Sequence, residues 1–356
     1  MQPGTPTATT SASSATSATS APPELPTVTL AMQPGLRERL FAAEDLDRLA
    51  TVARVEPDVL HDLTSPAARD VLARTDVLLT GWGCPPVTRD VLAHAPRLRA
   101  VVHGAGTVRH HLPAEFWDAG IPVSTAADAN AIPVAEYTVA TILLANKRIW
   151  PVAARYRAER RAADWNAVVP DAGNYRRTVG VVGASKIGRR VLALLAPFDL
   201  DLVLSDPYAD EATAASLGAR LVDLETLVAT SDVVSLHAPD LPETHHLIDA
   251  RRLATMRPGA TLVNTARGAL VDTAALTEAV VAGRLHAVLD VTTPEVLPAD
   301  SPLYDHPNVL LTPHVAGSVG LELHRLGAFA VDEVARWTRG EPFAAPVDGA
   351  LLHRTA

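Results

Sequence analysis

The sequence predicts an α/β protein made of two doubly wound parallel sheets with a cleft between them. Three observations predict it. Short apolar runs alternate with amphipathic stretches along nearly the whole chain after the first 26 residues. The runs are short and largely apolar, as strands covered by helices on both faces are. And 356 residues are enough to fill two separate cores.

In the first series, TVTLAM (27–32), DVLLTGW (76–82) and LRAVVHG (98–104) read as buried strands. Between them, 42–53 and 65–75 read as amphipathic helices, with Ser65 as an N-cap and Pro66 at the first helical position. A helix follows over 130–150, with Pro133 near its start, Glu136 in its first turn and Lys147 and Arg148 near its end. Its nearly continuous apolar character predicts burial between two domains. The second series has strands at 178–183, 201–206, 232–239, 260–268, 284–291 and 308–314. A helix at 272–283 is capped by Asp272 and stopped by Gly283. Strand–helix alternation of this kind implies parallel sheets with right-handed crossovers. A last helix, about 318–339, is expected to return to the first unit. The expected domains are therefore 27–129 plus 318–345 for substrate and 130–317 for a Rossmann-type nucleotide domain, both doubly wound sheets of the Rossmann/flavodoxin-like kind.

Composition narrows the function. Hydrophobic residues at 48% and charged residues at 20% fit a folded chain rather than a disordered one. A net charge of −9 argues against a general nucleic-acid binder. The single cysteine, Cys84, excludes an internal disulfide framework and suits a reducing cytoplasm. No apolar run approaches the ~18 residues of a membrane span. Residues 1–26, nearly all Ser, Thr, Ala and Pro, are expected to be disordered and make a poor secretory signal.

The stretch TVGVVGASKIGRR (178–190) reads as a strand, a glycine turn and a helix. Gly183 and Gly188 keep the outer glycines of a dinucleotide turn, while Ser185 replaces the middle one and offers a hydroxyl that could bond a phosphate oxygen. The helix N-terminus behind the turn favours an anion. Asp206 lies 23 positions after Gly183, close to the spacing of ~20 for a carboxylate on the ribose hydroxyls. No Lys or Arg adjoins it, so NAD is favoured over NADP.

Ligands of open parallel sheets bind at the carboxyl ends of the strands. Those ends carry His237, Thr265, Arg267, Asp290 and His314, with Glu295 just beyond. An arginine there can grip a carboxylate in a fork and polarise a neighbouring carbonyl. A histidine can exchange a hydroxyl proton near neutral pH. Glu295 could pair with His314, fix its tautomer and keep it charged.

The stretches SLHAP, ETHHLI, LVNTARGALVD, AVLDV and LLTPHVAGS resemble the NAD-dependent D-2-hydroxyacid dehydrogenase family, over most of residues 76–340. The resemblance implies an oxidoreductase that interconverts a 2-oxoacid and a D-2-hydroxyacid. It places substrate binding on Arg267, assistance on Glu295 and acid/base work on His314. Cofactor contacts are implied at Gly183, Ser185, Lys186, Ile187, Gly188, Asp206, His237, Ala238, Pro239, Thr244, Thr265, Ala266, Asp290, His314 and Gly317. Asp290 would meet the nicotinamide amide. The substrate carboxylate would meet backbone amides around Ala105 and Gly106, and Arg267. A cytoplasmic homodimer is also implied. Alternatives on the same fold are a phosphite- or formate-type dehydrogenase and an NAD-sensing corepressor or scaffold.

Two departures stand out besides Ser185. Val296 follows Glu295 where the family often has Pro. The loop GAGTVRHH lacks the usual acidic residue and carries Arg109, His110 and His111. That cluster reads first as a surface patch and second as a site for a further substrate anion. His103, His110 and His111 have no Cys or carboxylate cluster beside them, so no metal site is expected. His245 and His246 read as structural.

Overall fold

The computed structural model describes residues 24–352. Its strands form two sheets, and every ladder pair described is parallel. The first sheet holds β1 (Thr27–Ala31), β2 (Arg54–Val55), β3 (Val77–Thr80), β4 (Ala100–His103) and β5 (Val123–Thr125), in the order β2-β1-β3-β4-β5. The second holds β6 (Arg177–Val182), β7 (Leu200–Ser205), β8 (Arg220–Leu221), β9 (Val233–Leu236), β10 (Thr261–Asn264), β11 (His286–Leu289) and β12 (Val309–Leu311). Its order is β12-β11-β10-β9-β6-β7-β8. β1, β3, β4 and β9 are buried along their whole length, which is why they read as largely apolar runs. Strand order reverses between β1 and β3 in one sheet and between β6 and β9 in the other. A crevice opens at such reversals, outside the carboxyl ends of the strands.

The helix Ala127–Asn146 serves both cores. Ala129 packs with Val28, Leu30 and Val102 of the first, and Ala135 and Ile142 pack with Val181 and Val263 of the second. The last helix, Glu322–Thr338, buries Leu323, Leu326, Ala330, Val331 and Val334 in the first-sheet core. Its Glu333 is a buried carboxylate satisfied by Ser124 Oγ and by the amides of Ala344 and Ala345, so it fastens the terminal segment to β5.

Several boundaries differ from the sequence reading. The 130–150 helix starts at Ala127 and stops at Asn146; Arg148 turns left-handed at φ 53° and a separate helix, Ile149–Glu159, begins. Pro133 therefore lies inside the helix instead of at its entry. β10 ends at Asn264 rather than running on to 268. The Asn264 side chain bends the chain there, accepting from the Ala266 amide at 3.1 Å and donating to Arg267 O at 2.8 Å. The two-residue strands β2 and β8 are too short to leave a sequence pattern. The tail expected to be disordered lies outside the described residues except for 24–26. There, Pro26 O accepts from Arg54 N at 2.8 Å, so the folded part begins slightly earlier than expected.

Candidate active site

The glycine turn closes between β6 and the helix Lys186–Leu195. Gly183 has φ 99°, and a Cβ there would lie 2.9 Å from the backbone of His237 and Ala238. A Cβ on Gly188 would lie 2.0 Å from Gly183 O. Both positions need glycine, one for conformation and both for close approach. Ser185 caps the helix: its Oγ accepts from Gly188 N at 3.3 Å. The hydroxyl proton is left for another acceptor, so the replaced glycine tightens the turn and still presents a donor. Ile187 packs into the second-sheet core, while Lys186 leaves the turn to pair with Asp128. Asp206 stands at the rim: Oδ2 accepts from Ala184 N at 2.6 Å and Oδ1 from Tyr208 N at 2.7 Å. Each oxygen keeps a lone pair for a further donor.

His237, at the end of β9, is buried and bonds Ser235 Oγ through Nε2 at 2.9 Å. Burial pushes its pKa down to about 3, so the ring is neutral. Its Nδ1 is buried without a partner, an orphan beside the turn that fits a bound polar group. The turn, the helix N-terminus, this nitrogen and Asp206 together suit a dinucleotide. The other expected cofactor residues are engaged in shaping loops. Thr244 Oγ1 donates to Pro239 O at 2.6 Å, Thr265 Oγ1 meets Thr138 Oγ1 at 2.8 Å, and Ala238 and Ala266 are buried.

The chemistry-bearing side chains gather beyond β10, β11 and β12. His314 Nδ1 lies 2.7 Å from Glu295 Oε1, both side chains being more than half exposed. Thr292 Oγ1 bonds the carbonyls of Pro294 and Glu295 at 2.7 and 3.1 Å and so holds the Glu295 loop, from which Val296 projects into solvent. Half-buried Arg267 donates to Ala266 O at 2.6 Å. Burial pushes its pKa down, the charges of Asp240 and Glu295 pull it back up, and Arg109 pushes it down again. Glu295 thus touches His314 and acts on Arg267, which puts the three groups in one neighbourhood.

The loop expected to meet the substrate follows β4. Thr125 Oγ1 occupies the carbonyls of Ala105, at 2.9 Å, and Gly106. Among the described residues no acceptor meets the amides of Ala105 and Gly106. The basic cluster is not a simple surface patch. His111 is buried, its ring centroid 4.3 Å from that of buried His103, and only His110 is exposed. Arg109 reaches Asp240 O of the other lobe at 3.1 Å and Leu352 O of the terminal segment. His245 and His246 stack at 4.0 Å on the surface, His246 N bonding Ala269 O. Among the described residues no group of three or more His, Cys, Asp or Glu could hold a metal ion.

The sequence reading missed two residues of the helix Ala127–Asn146. Asn130 Oδ1 accepts from Ser318 N at 3.0 Å, beside Gly317, and its Nδ2 faces Gly106. Tyr137 OH meets Thr312 Oγ1 at 2.8 Å. The two are seven positions apart, hence on one face, and polar side chains repeating at that spacing on an apolar helix were the available signal.

Fold and site together define a two-lobed dinucleotide-binding protein with an arginine, a glutamate and a histidine at the strand ends. The chain belongs to the D-isomer specific 2-hydroxyacid dehydrogenases: the profile of that family's NAD binding domain matches residues 139–316, and NAD is the cofactor it implies. The chain is 36% identical over 307 residues to the glyoxylate/hydroxypyruvate reductase B of Pectobacterium carotovorum, covering 83% of this chain and 91% of that protein. It is 37% identical over 272 residues to the D-3-phosphoglycerate dehydrogenase of Mycobacterium leprae, covering 75% of this chain and 50% of that one. The chain therefore spans about half the length of the phosphoglycerate dehydrogenases it matches. The crystal structure of TT0316 protein from Thermus thermophilus superposes with a TM-score of 0.71 at 30% identity, covering 90% of this chain and 100% of that one. No helix among the described residues is long and apolar enough to cross a membrane.

Proposed function

We propose that the protein is an NAD-dependent dehydrogenase that interconverts a small 2-oxoacid and the corresponding D-2-hydroxyacid. The observation that carries this reading is the His314–Glu295 contact of 2.7 Å, with Arg267 close enough to feel the Glu295 charge, at the carboxyl ends of the strands of the sheet that also carries the glycine turn. Bound nicotinamide would supply or take the hydride. Arg267 binds the substrate carboxylate and polarises the 2-oxo group, and the free amides of Ala105 and Gly106 take the other side of the carboxylate. Glu295 holds the proton on His314 Nδ1, which leaves Nε2 to face the substrate oxygen. In reduction the Nε2 proton goes to that oxygen as it becomes a hydroxyl; in oxidation Nε2 takes it back.

A homodimer in the cytoplasm is part of the same reading. It is supported by the helix Ile149–Glu159, which buries none of its residues and leaves Ile149 and Tyr156 exposed, with Leu144 and Tyr175 exposed nearby in sequence. The test is loss of NADH absorbance against a panel of 2-oxoacids with phosphite and formate in the reverse assay. Turnover of a 2-oxoacid is expected. NADH binding without turnover of any of them would replace the enzyme with a nucleotide sensor.

A further inference from the structure

We propose that Tyr137 and Thr312 are positioning residues that fix the backbone of His314 through Asp290. This rests on His314 being the acid/base group. His314 is one of the few non-glycine residues with a left-handed backbone, at φ 57°. Side chains disfavour that conformation, so surrounding bonds must impose it. They converge on buried Asp290. Its backbone oxygen accepts from His314 N at 2.9 Å. Its Oδ1 accepts from Val315 N at 2.8 Å and from Thr312 Oγ1 at 2.7 Å, and its Oδ2 from Ala316 N at 2.9 Å. The carboxylate is thus wrapped by the loop that carries the imidazole, with one Oδ2 lone pair spare for the nicotinamide amide.

The direction of the chain of hydroxyls follows from proton count. Thr312 has one hydroxyl proton and gives it to Asp290, so the 2.8 Å contact with Tyr137 must be Tyr137 donating to Thr312. Burial raises the Tyr137 pKa, the bond to Thr312 lowers it and Asp290 raises it again, so the donor proton stays in place at neutral pH. Tyr137 sits on the helix that joins the two cores, and Asn130 of the same helix holds Ser318 at the far end of the loop. The helix therefore grips the His314 loop at both ends. Thr312 bonds Oδ1 and leaves Oδ2 in place, so a displacement of His314 by a fraction of an ångström acts first on proton transfer.

The experiment compares Thr312→Val, Thr312→Ser and Tyr137→Phe with the parent enzyme on its best 2-oxoacid. Thr312→Val and Tyr137→Phe should each lower kcat by about tenfold. The primary isotope effect with deuterated NADH should rise as the chemical step becomes limiting, and the NADH Kd should stay within about twofold. Thr312→Ser, which restores the hydroxyl, should recover most of kcat. Parent-like kcat and isotope effect in both Thr312→Val and Tyr137→Phe would overturn the inference. So would a loss of kcat matched by an equal loss of NADH affinity, which would place these residues in the nucleotide site. His314→Gln, run alongside, separates the two levels: if it too keeps its kcat, the acid/base reading has failed first.

Discussion

Replacing Gly188 by Ala tests whether the turn is the seat of the nucleotide. The added Cβ would lie 2.0 Å from Gly183 O and 3.3 Å from His237 Cβ. Contacts under 3.0 Å are essentially never seen, so one side must move by about an ångström or more. The obstructing atom is backbone and cannot rotate away. Moving it opens the turn and pulls Gly188 N from its 3.3 Å bond to Ser185 Oγ. Overpacking costs about 1–3 kcal/mol, and a lost cap adds about 1 kcal/mol. The variant should melt several degrees lower, roughly 5 °C or more. If even 1.4 kcal/mol of the distortion falls on the bound state, the NADH Kd rises about tenfold. Fluorescence titration of NADH and a thermal melt measure both. Gly106→Ala is the control, because its nearest non-neighbouring atom, Asn130 Nδ2, is 3.8 Å away; it should leave NADH affinity unchanged. A Gly188→Ala protein that melts lower but binds NADH within twofold of the parent would refute the assignment.

Three other outcomes follow from the structure. Buried His103, His111 and His237 are neutral in the fold, with pKa values well below 6.5, about 4 and about 3. Their stabilising contribution is full above pH 6.5 and is lost as the pH falls toward those values; at about pH 5.5 the loss is about 1.4 kcal/mol for each of His111 and His237, roughly 3 kcal/mol together, and His103 acts in the same direction. Urea unfolding at neutral and mildly acid pH measures this, and a flat stability over that range would contradict it. Arg109→Ala should raise KM about tenfold for a 2-oxoacid bearing a second anion and less than about twofold for one without; equal effects would leave Arg109 as a tether between lobes only. Asp206→Ala should narrow the preference for NAD over NADP by tenfold or more, and an unchanged ratio would remove Asp206 from the ribose.

Legibility in the sequence followed burial and range. β1, β3, β4 and β9 were readable because both faces are covered, every residue is buried and most are apolar. The glycine turn and Asp206 were readable because their constraint is local: a turn, a cap and a spacing. The end of β10 was not, since apolar character continues past Asn264 and only its side-chain bonds stop the strand. The break at Arg148 is likewise a backbone event, with no Gly or Pro in the turn before it. Arg267, Glu295 and His314 stood out as polar residues at strand ends, whereas Tyr137 read as part of an apolar helix. The seven-residue spacing to Asn130 marks a polar face, but its partner is 175 positions away and that spacing does not name it. The burial of His111 was hidden for the same reason, because elements distant in sequence cover it.

The proposed reaction needs His314 to move the proton. The direct measurement is kcat for 2-oxoacid reduction by His314→Gln, set beside its NADH Kd. The structure predicts a fall in kcat of at least about a hundredfold with NADH affinity within about twofold, since His314 bonds Glu295 and stands beyond the nucleotide turn. A kcat near that of the parent, or equal losses in kcat and NADH binding, would contradict it.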